Sequence, residues 1–340
     1  MAEFLYGDMK MNREYFLSLL KNICTLELSN KGINNFQFLS KSFSSNQQQT
    51  NEAFSDKWSV YNKSTEKEKY YQLQKDWYLD LYGFSSENDL SEFLKKNKII
   101  LDAGCGLGFK AAWFAELSPE SLIIAMDFSD VVNEAAEYYV KLPNLFFIQG
   151  DIAETNLLDN SVDYVSCDQV IMHTANPDKT FAELSRITAL DRGQFSCYFY
   201  AKKALPRELL DNYFRSQCIN MSKDDLWQMS EQLALLGKRL SELEVSFEAP
   251  DIPALGIKGG MYDIQRFIYW NFIKCFWNQD LGYDTSVMTN YDWYSPSNAK
   301  RFTQDEIMDL ISSNGLSMVY FHVEEACYSG RFSKITSILQ

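Results

Sequence analysis

Between residues 99 and 201, short apolar runs alternate with stretches of helical spacing, and no other feature narrows the possible folds as far. The runs at Ile99–Ala103, Leu122–Asp127, Leu145–Gln149, Val162–Asp168 and Gly193–Ala201 read as strands. Segments near Lys110–Glu116, Val131–Val140 and Asp178–Leu190 read as the helices between them. Strands that take turns with helices point to a parallel sheet with crossover helices. Upstream, residues 12–28 place Tyr15, Phe16, Leu19, Leu20 and Ile23 at roughly helical spacing. The polar stretch Ser40–Asn51 reads as a flexible loop or linker, and helical patterns return at Lys67–Tyr82 and Asp89–Lys96. After Lys203 about a hundred residues follow with helical character and no strand alternation. Thr303-Gln304-Asp305-Glu306 has the form of a capping box, with strands expected near Leu316–Val323 and Phe332–Leu339. The expected organisation is an N-terminal helical or extended segment over 1–66, an α/β domain over 67–203, an insertion over 204–302, and a C-terminal part over 303–340 that completes the sheet.

The charge balance bears on partners. With 32 basic and 46 acidic residues the chain carries a formal charge of −14, which repels phosphate backbones and anionic lipid. No Lys/Arg run offsets this, so neither nucleic acid nor a membrane is expected as a partner. No apolar run approaches the ~18 residues needed to span a bilayer, and Met1-Ala2-Glu3-Phe4-Leu5 lacks the pattern of a signal peptide. The seven cysteines are odd in number and scattered without a CxxC pair, which suits buried reduced thiols in a cytoplasmic protein.

The first strand runs straight into Asp102-Ala103-Gly104-Cys105-Gly106-Leu107-Gly108 and then a helix. Glycines at a strand-to-helix turn let the backbone approach a ligand closely, with helix N–H groups aimed at it. A dinucleotide site would want G-x-G-x-x-G, but here the third glycine comes one residue early and Phe109 takes its place. Asp102 would also repel a pyrophosphate, whereas it can accept a hydrogen bond from a cationic amino-acid group.

This stretch closely resembles motif I of class I S-adenosylmethionine (SAM)-dependent methyltransferases, strongly over residues 99–200 and more loosely in the C-terminal strands. The resemblance implies a Rossmann-like α/β fold: a mostly parallel seven-stranded sheet, here with a helical, aromatic-rich insertion after strand 5. It implies SAM as cofactor and S-adenosylhomocysteine as product. Asp102, Gly104, Cys105, Gly106 and Gly108 would form the cofactor turn. Asp127, 23 residues after Gly104 and followed by Phe128, matches the acid that holds both ribose hydroxyls. Asp151 and Ile152 match the pair that meets the adenine, and Asp168 with Gln169 ends the fourth strand of the pocket. Leu190-Asp191-Arg192-Gly193-Gln194 departs from the family's usual Leu-Lys-Pro-Gly-Gly at a turn without chemistry.

Methyl transfer from a sulfonium needs the nucleophile aligned and, for a hydroxyl, its proton removed. Of two histidines, His322 lies in an alternating strand pattern. His173 follows the fourth strand, where related small-molecule and sugar O-methyltransferases carry their general base. The competing reading is a histidine that only packs or caps a helix start. No Asp/Asn cluster for a metal can be assembled from spacing, so a metal-independent reaction is expected. The insertion is expected to form a lid on the substrate side. Residues 259–294 hold eleven aromatics, with a few polar side chains set among them. Tyr262, Asp263, Arg266, Trp270, Asp292, Trp293, Tyr294 and Arg301 are the acceptor-binding candidates. Phe54-x-x-Lys57-Trp58, Asp292-Trp293-Tyr294-x-Pro296 and Arg301-Phe302-Thr303 resemble bacterial methyltransferases of surface-polysaccharide and secondary-metabolite pathways. Such relatives often begin with a cysteine-rich zinc ribbon; only Cys24 stands in that region here, so no zinc site is expected.

The expectation is therefore a methyl transfer to a hydroxyl of a small polar molecule, a sugar or glycosylated metabolite, by a monomer or homodimer. Transfer to nitrogen or carbon, and a SAM-fold subunit that binds or regulates without catalysis, are the alternatives.

Overall fold

The structure, a computed structural model, describes residues 2–38, 44–61, 63–190 and 192–335. The chain begins with α1 (Ala2–Ile23), β1 (Ser29–Asn30), β2 (Asn35–Gln37), α2 (Ser45–Tyr61), α3 (Lys67–Tyr82) and α4 (Glu87–Leu94). Then come β3 (Ile99–Ala103), α5 (Phe109–Leu117), β4 (Leu122–Asp127), α6 (Val131–Tyr138), β5 (Leu145–Gln149) and β6 (Tyr164–Cys167). A 3-10 turn (Ile171–His173) precedes α7 (Pro177–Ile187) and β7 (Gln194–Tyr200). The remaining elements are α8 (Leu205–Cys218), α9 (Lys223–Ser241), β8 (Ser246–Ala249), β9 (Gly260–Asp263), α10 (Ile264–Asn271), α11 (Tyr283–Tyr294), α12 (Gln304–Ser313), β10 (Leu316–Val323) and β11 (Cys327–Lys334). They form two compact units. The first gathers residues 1–43, 74–200 and 302–340, and the second gathers 44–73 and 201–301. The expected single segment over 1–66 is thus divided, and the boundary of the units falls inside α3.

The first unit is built on a sheet ordered β1-β2-β5-β4-β3-β6-β7-β11-β10. Strands β2 to β7 run parallel, while β11 and β10 return antiparallel at one edge and β1 at the other. Seven of the strands are those expected; β1 and β2 extend the sheet to nine among the described residues. Their two and three residues are too short to carry a periodic signal, and Asn34 and Asn35 tie them in through bonds to Leu145 O and Asn133 Oδ1. Strands β3 to β6 are buried along nearly their whole length, as a parallel sheet covered on both faces requires. The chain runs outward from β3 to β4 and β5, then crosses back to β6 on the other side of β3. That reversal makes the β3/β6 border the topological switch point, where open α/β sheets bind ligands.

Local chemistry explains the helix starts. Asn176 accepts a bond from Lys179 N, with Pro177 in the first turn of α7. Thr303 and Glu306 form the expected reciprocal capping box on α12. The last strand differs from expectation: it begins at Cys327 rather than Phe332, and 336–339 lie outside the described residues. The run Cys327-Tyr-Ser-Gly-Arg-Phe is not apolar because small residues are needed there. Ser329 Oγ donates to Leu81 O at 2.7 Å, and a Cβ on Gly330 would come within 2.7 Å of Tyr320 O.

The second unit corrects two further expectations. Residues 45–51 are helical, as the start of α2, rather than a flexible loop; 40–43 lie outside the described residues. Glutamine is a good helix former. Here Gln49 also receives bonds from Ser297 N and Oγ and donates to Ser295 O, while Asn298 N donates to Thr50 Oγ1. The stretch after Lys203 does contain strands, the antiparallel hairpin β8–β9 with Ser246 opposite Asp263. Its residues are mostly exposed or half-buried, so no apolar alternation betrays it. Elsewhere in this unit Trp227 of α9 stacks on Tyr291 of α11 with centroids 3.9 Å apart, and Asp56 accepts from both side chains at 2.9 Å. Glu66 caps α11 by accepting from Thr285 N and Oγ1.

No disulfide links the seven cysteines, six of which are buried. Among the described residues no helix is long and apolar enough to cross a membrane.

Candidate active site

The candidate cofactor residues converge at the C-terminal ends of β3, β4, β5 and β6 in the first unit. After β3 the chain turns through Gly104, Gly106 and Gly108, all with positive φ. At Gly104 (φ +82) a Cβ would lie 2.4 Å from the Val170 side chain, and at Gly108 (φ +75) it would meet the Phe147 ring at 2.6 Å. Both positions are therefore closed to any other residue, by backbone and by space. Gly104 N and Cys105 N donate to Met126 O, and Gly106 N donates to Asp127 Oδ2 at 2.8 Å. The turn is thus fastened to the end of β4. Asp127 Oδ1 takes Ser129 N and Oγ at 2.8 and 2.6 Å. Oδ2, with one protein donor, keeps capacity for a ligand hydroxyl. After β5, Asp151 Oδ1 accepts Ala153 N–H at 2.8 Å while Oδ2 takes no bond from another described residue. Burial raises the Asp151 carboxyl above its usual range. Gly104, Asp127, Phe128 and Asp151 are half-buried, and Ile152 and Cys105 are buried.

Asp102 is held by a neighbouring cation. It is fully buried, and Lys110 Nζ lies 3.2 Å from its Oδ1. The same ammonium reaches Asp168 Oδ2 at 3.4 Å, and Tyr82 Oη donates to Asp168 Oδ1 at 2.9 Å. Lys110 therefore bridges two acids, with its Nζ 5.6 Å from the Tyr78 ring centroid. Sequence reading passed over it as one more helix residue. A signal was present, because a lone charge inside the run Phe109-Lys110-Ala111-Ala112-Trp113-Phe114 must find a partner if the helix is buried. Neighbouring Gln169 holds a left-handed backbone (φ +62) and donates from Nε2 to Gln74 Oε1 at 2.7 Å. Among the described residues no group of three or more His, Cys, Asp or Glu could hold a metal.

Burial pushes the Asp102 carboxyl up to about 6, against the pull of Lys110. A carboxyl raised in the folded state contributes stability that is complete below about 3.8 and is lost as pH rises through about 6. Urea midpoints of wild type and Asp102→Asn should then diverge between pH 4 and 7. The asparagine variant is expected to gain on the order of 2–3 kcal/mol relative to wild type across that window. A constant difference would rule out this linkage.

His173 ends the 3-10 turn after β6, with its ring edge-on to Tyr200 at 5.4 Å between centroids. It is 6% exposed. Val170, three residues earlier, is the side chain that packs over Gly104, so the turn carrying His173 starts against the glycine loop.

The eight acceptor candidates all lie in the second unit, and several have structural duties. Asp263 caps α10 by accepting Gln265 N and Arg266 N. Arg301 binds Glu208 and Asn212, and Tyr262 Oη donates to Lys258 O. Arg266 lies over Tyr269 and Phe276, and Lys203 over Trp270. The remaining three gather in one place. Trp293 Nε1 and Tyr294 Oη both donate to Asp211, while Asp292 pairs with Lys57 at 2.8 Å.

Residues 101–191 match a sequence family described as a methyltransferase domain. An uncharacterized methyltransferase of Schizosaccharomyces pombe is 31% identical over 106 residues, 28% of this chain and 38% of that protein. The sterol 24-C-methyltransferase of Kluyveromyces lactis is 26% identical over 164 residues, 41% of this chain and 43% of that protein. The chain thus spans less than half the length of these relatives. Among solved structures, PKMT2 from Rickettsia typhi superposes with a TM-score of 0.47 at 16% identity, covering 71% of this chain and 49% of that one.

Proposed function

We propose that this chain, which carries a class I SAM-dependent methyltransferase domain, transfers the methyl group of SAM to a hydroxyl of a small polar molecule, a sugar or glycosylated metabolite. His173 acts as general base. The placement of His173 carries the reading: a buried imidazole in the turn after β6, beginning against the glycine loop. The residues at the strand ends suit the cofactor. Asp127 Oδ2 keeps an acceptor site toward the ribose hydroxyls, and the unbonded Asp151 Oδ2 suits the adenine amine. Bound SAM supplies an electrophilic methyl on a sulfonium. The chain's share of the chemistry is to hold the acceptor in line and to take its proton at the His173 ring.

The relative in Kluyveromyces lactis favours a second reading, in which the acceptor atom is carbon, or nitrogen, and His173 matters less. Calorimetry tests the shared premise. Wild type should bind SAM or its demethylated product with 1:1 stoichiometry. Asp127→Ala should weaken binding by about 1.5–3 kcal/mol, the range for a hydrogen bond to a charged group. Absence of SAM binding by wild type would remove both readings.

A further inference from the structure

Lys57, Arg207 and Lys274 lie buried close together in the second unit beside two carboxylates, and Arg215 lies over the same Trp293 ring as Arg207 and Lys274. Lys57, Arg207 and Lys274 are 4%, 1% and 6% exposed. Lys57 Nζ pairs with Asp292 Oδ2 at 2.8 Å, and Arg207 Nε pairs with Asp211 Oδ2 at 2.7 Å. Asp211 is also taken by Trp293 Nε1 and Tyr294 Oη, at 2.9 and 2.8 Å. Lys274 Nζ has neither a hydrogen bond nor a carboxylate within 4 Å among the described residues; it lies 4.3 Å from the Trp293 ring centroid. Its backbone N–H donates to Tyr294 Oη, which fixes the residue beside the Trp293–Asp211 group. Burial pushes the Lys274 ammonium down to about 8, with Asp292 and Asp211 opposing the shift and Arg207 and Lys57 adding to it, so it is still largely charged at neutral pH.

A buried charge is normally paired, because an ion removed from water without a counter-charge is costly. Here the protein provides the aromatic face and positive neighbours, while both nearby carboxylates, Asp211 and Asp292, are already engaged by other partners. We propose that Lys274, standing over Trp293, is a binding site for a small-molecule oxyanion, a carboxylate or a phosphate. Arg207 lies over the same Trp293 ring and adds positive potential. Asp292 pairs with Lys57 at 2.8 Å and acts on Lys274 only through longer-range attraction.

The test uses the full chain, with sodium benzoate and inorganic phosphate as probes in calorimetry at matched ionic strength, on wild type and Lys274→Met. Wild type should bind at least one probe saturably; benzoate alone identifies a carboxylate site, phosphate alone a phosphate-ester site. Lys274→Met should bind that probe at least tenfold more weakly. Without the probe it should melt no lower than wild type, since methionine removes an uncompensated buried charge at similar volume. A second measurement needs no variant. Pulse acetylation of wild type with acetic anhydride, read at Lys274 by peptide mass, should slow when the bound probe is present. No saturable binding of either probe, equal affinity in Lys274→Met, or unchanged acetylation would each overturn the site. SAM binding is titrated on the same samples. Its absence would strike the methyltransferase reading, whereas intact SAM binding without probe binding would strike this site alone.

Discussion

Lys110→Met is expected to lower the stability of the first unit by about 3–5 kcal/mol, the usual result of removing one partner from a buried ion pair. The cause is the charge left behind. Asp102 is fully buried and the Asp168 side chain is 7% exposed; both face the Lys110 ammonium, and it is the cation bridging them. Its loss would leave two carboxylates in low dielectric, relieved only at Asp168, where Tyr82 Oη and Gln169 Nε2 donate among the described residues. At ~2–4 °C per kcal/mol for a unit of this size, the melting temperature should fall by roughly 6–20 °C. Adding Asp102→Asn to the variant should restore part of the loss, since the amide carries no charge, and the double-mutant cycle would show the coupling. A single variant that melts within a degree of wild type would mean the carboxylates are solvated or protonated, and the buried triad would lose its account.

The second large effect is on chemistry. His173→Ala is expected to reduce turnover by ~10²–10⁴, the contribution typical of a general base. SAM affinity should change little, because the candidate cofactor contacts come from the Gly104–Gly108 turn, Asp127 and Asp151, on the ends of other strands. The acidic limb of the pH–rate profile should disappear with the imidazole. Wild-type turnover in the variant would place the base elsewhere, or favour a carbon or nitrogen acceptor that needs no strong base. Loss of SAM binding along with turnover would make His173 a packing residue of the turn after β6.

The five parallel strands and their ends were legible because burial on both faces forces continuous apolar runs, and glycines or acids mark where each run stops. The same logic failed where burial is shallow or the residue count small. β8 and β9 are largely exposed, β1 and β2 are too short, and β11 needs Ser329 and Gly330 where a pattern would ask for valine. The polar start of α2 misled for a different reason: Gln49 and Thr50 are held by residues 295–298, a tertiary cause that no local window contains. At the site, strand-end acids could be read from position. Whether they face solvent or a cation cannot be read there, and the contact of buried Asp102 with Lys110 becomes visible only in the structure. The Lys274 ammonium escaped notice because its isolation becomes visible only once the partners of Asp211 and Asp292 are known.

The second unit is assembled from two pieces of chain, 44–73 and 201–301, and this has a consequence during synthesis. Glu66 meets Thr285, Gln49 meets Ser297, and Asp56 meets Tyr291, over separations of 219, 248 and 235 residues. At ~5–20 residues per second, a ribosome that has just made Glu66 needs roughly 10–45 s to reach Thr285. Once α2 has cleared the exit tunnel, its permanent neighbours do not yet exist for most of that interval, and a polar, glutamine-rich helix tolerates the wait in water better than an apolar one. The low hydrophobicity that hid this helix in the sequence thus doubles as protection against aggregation on the nascent chain.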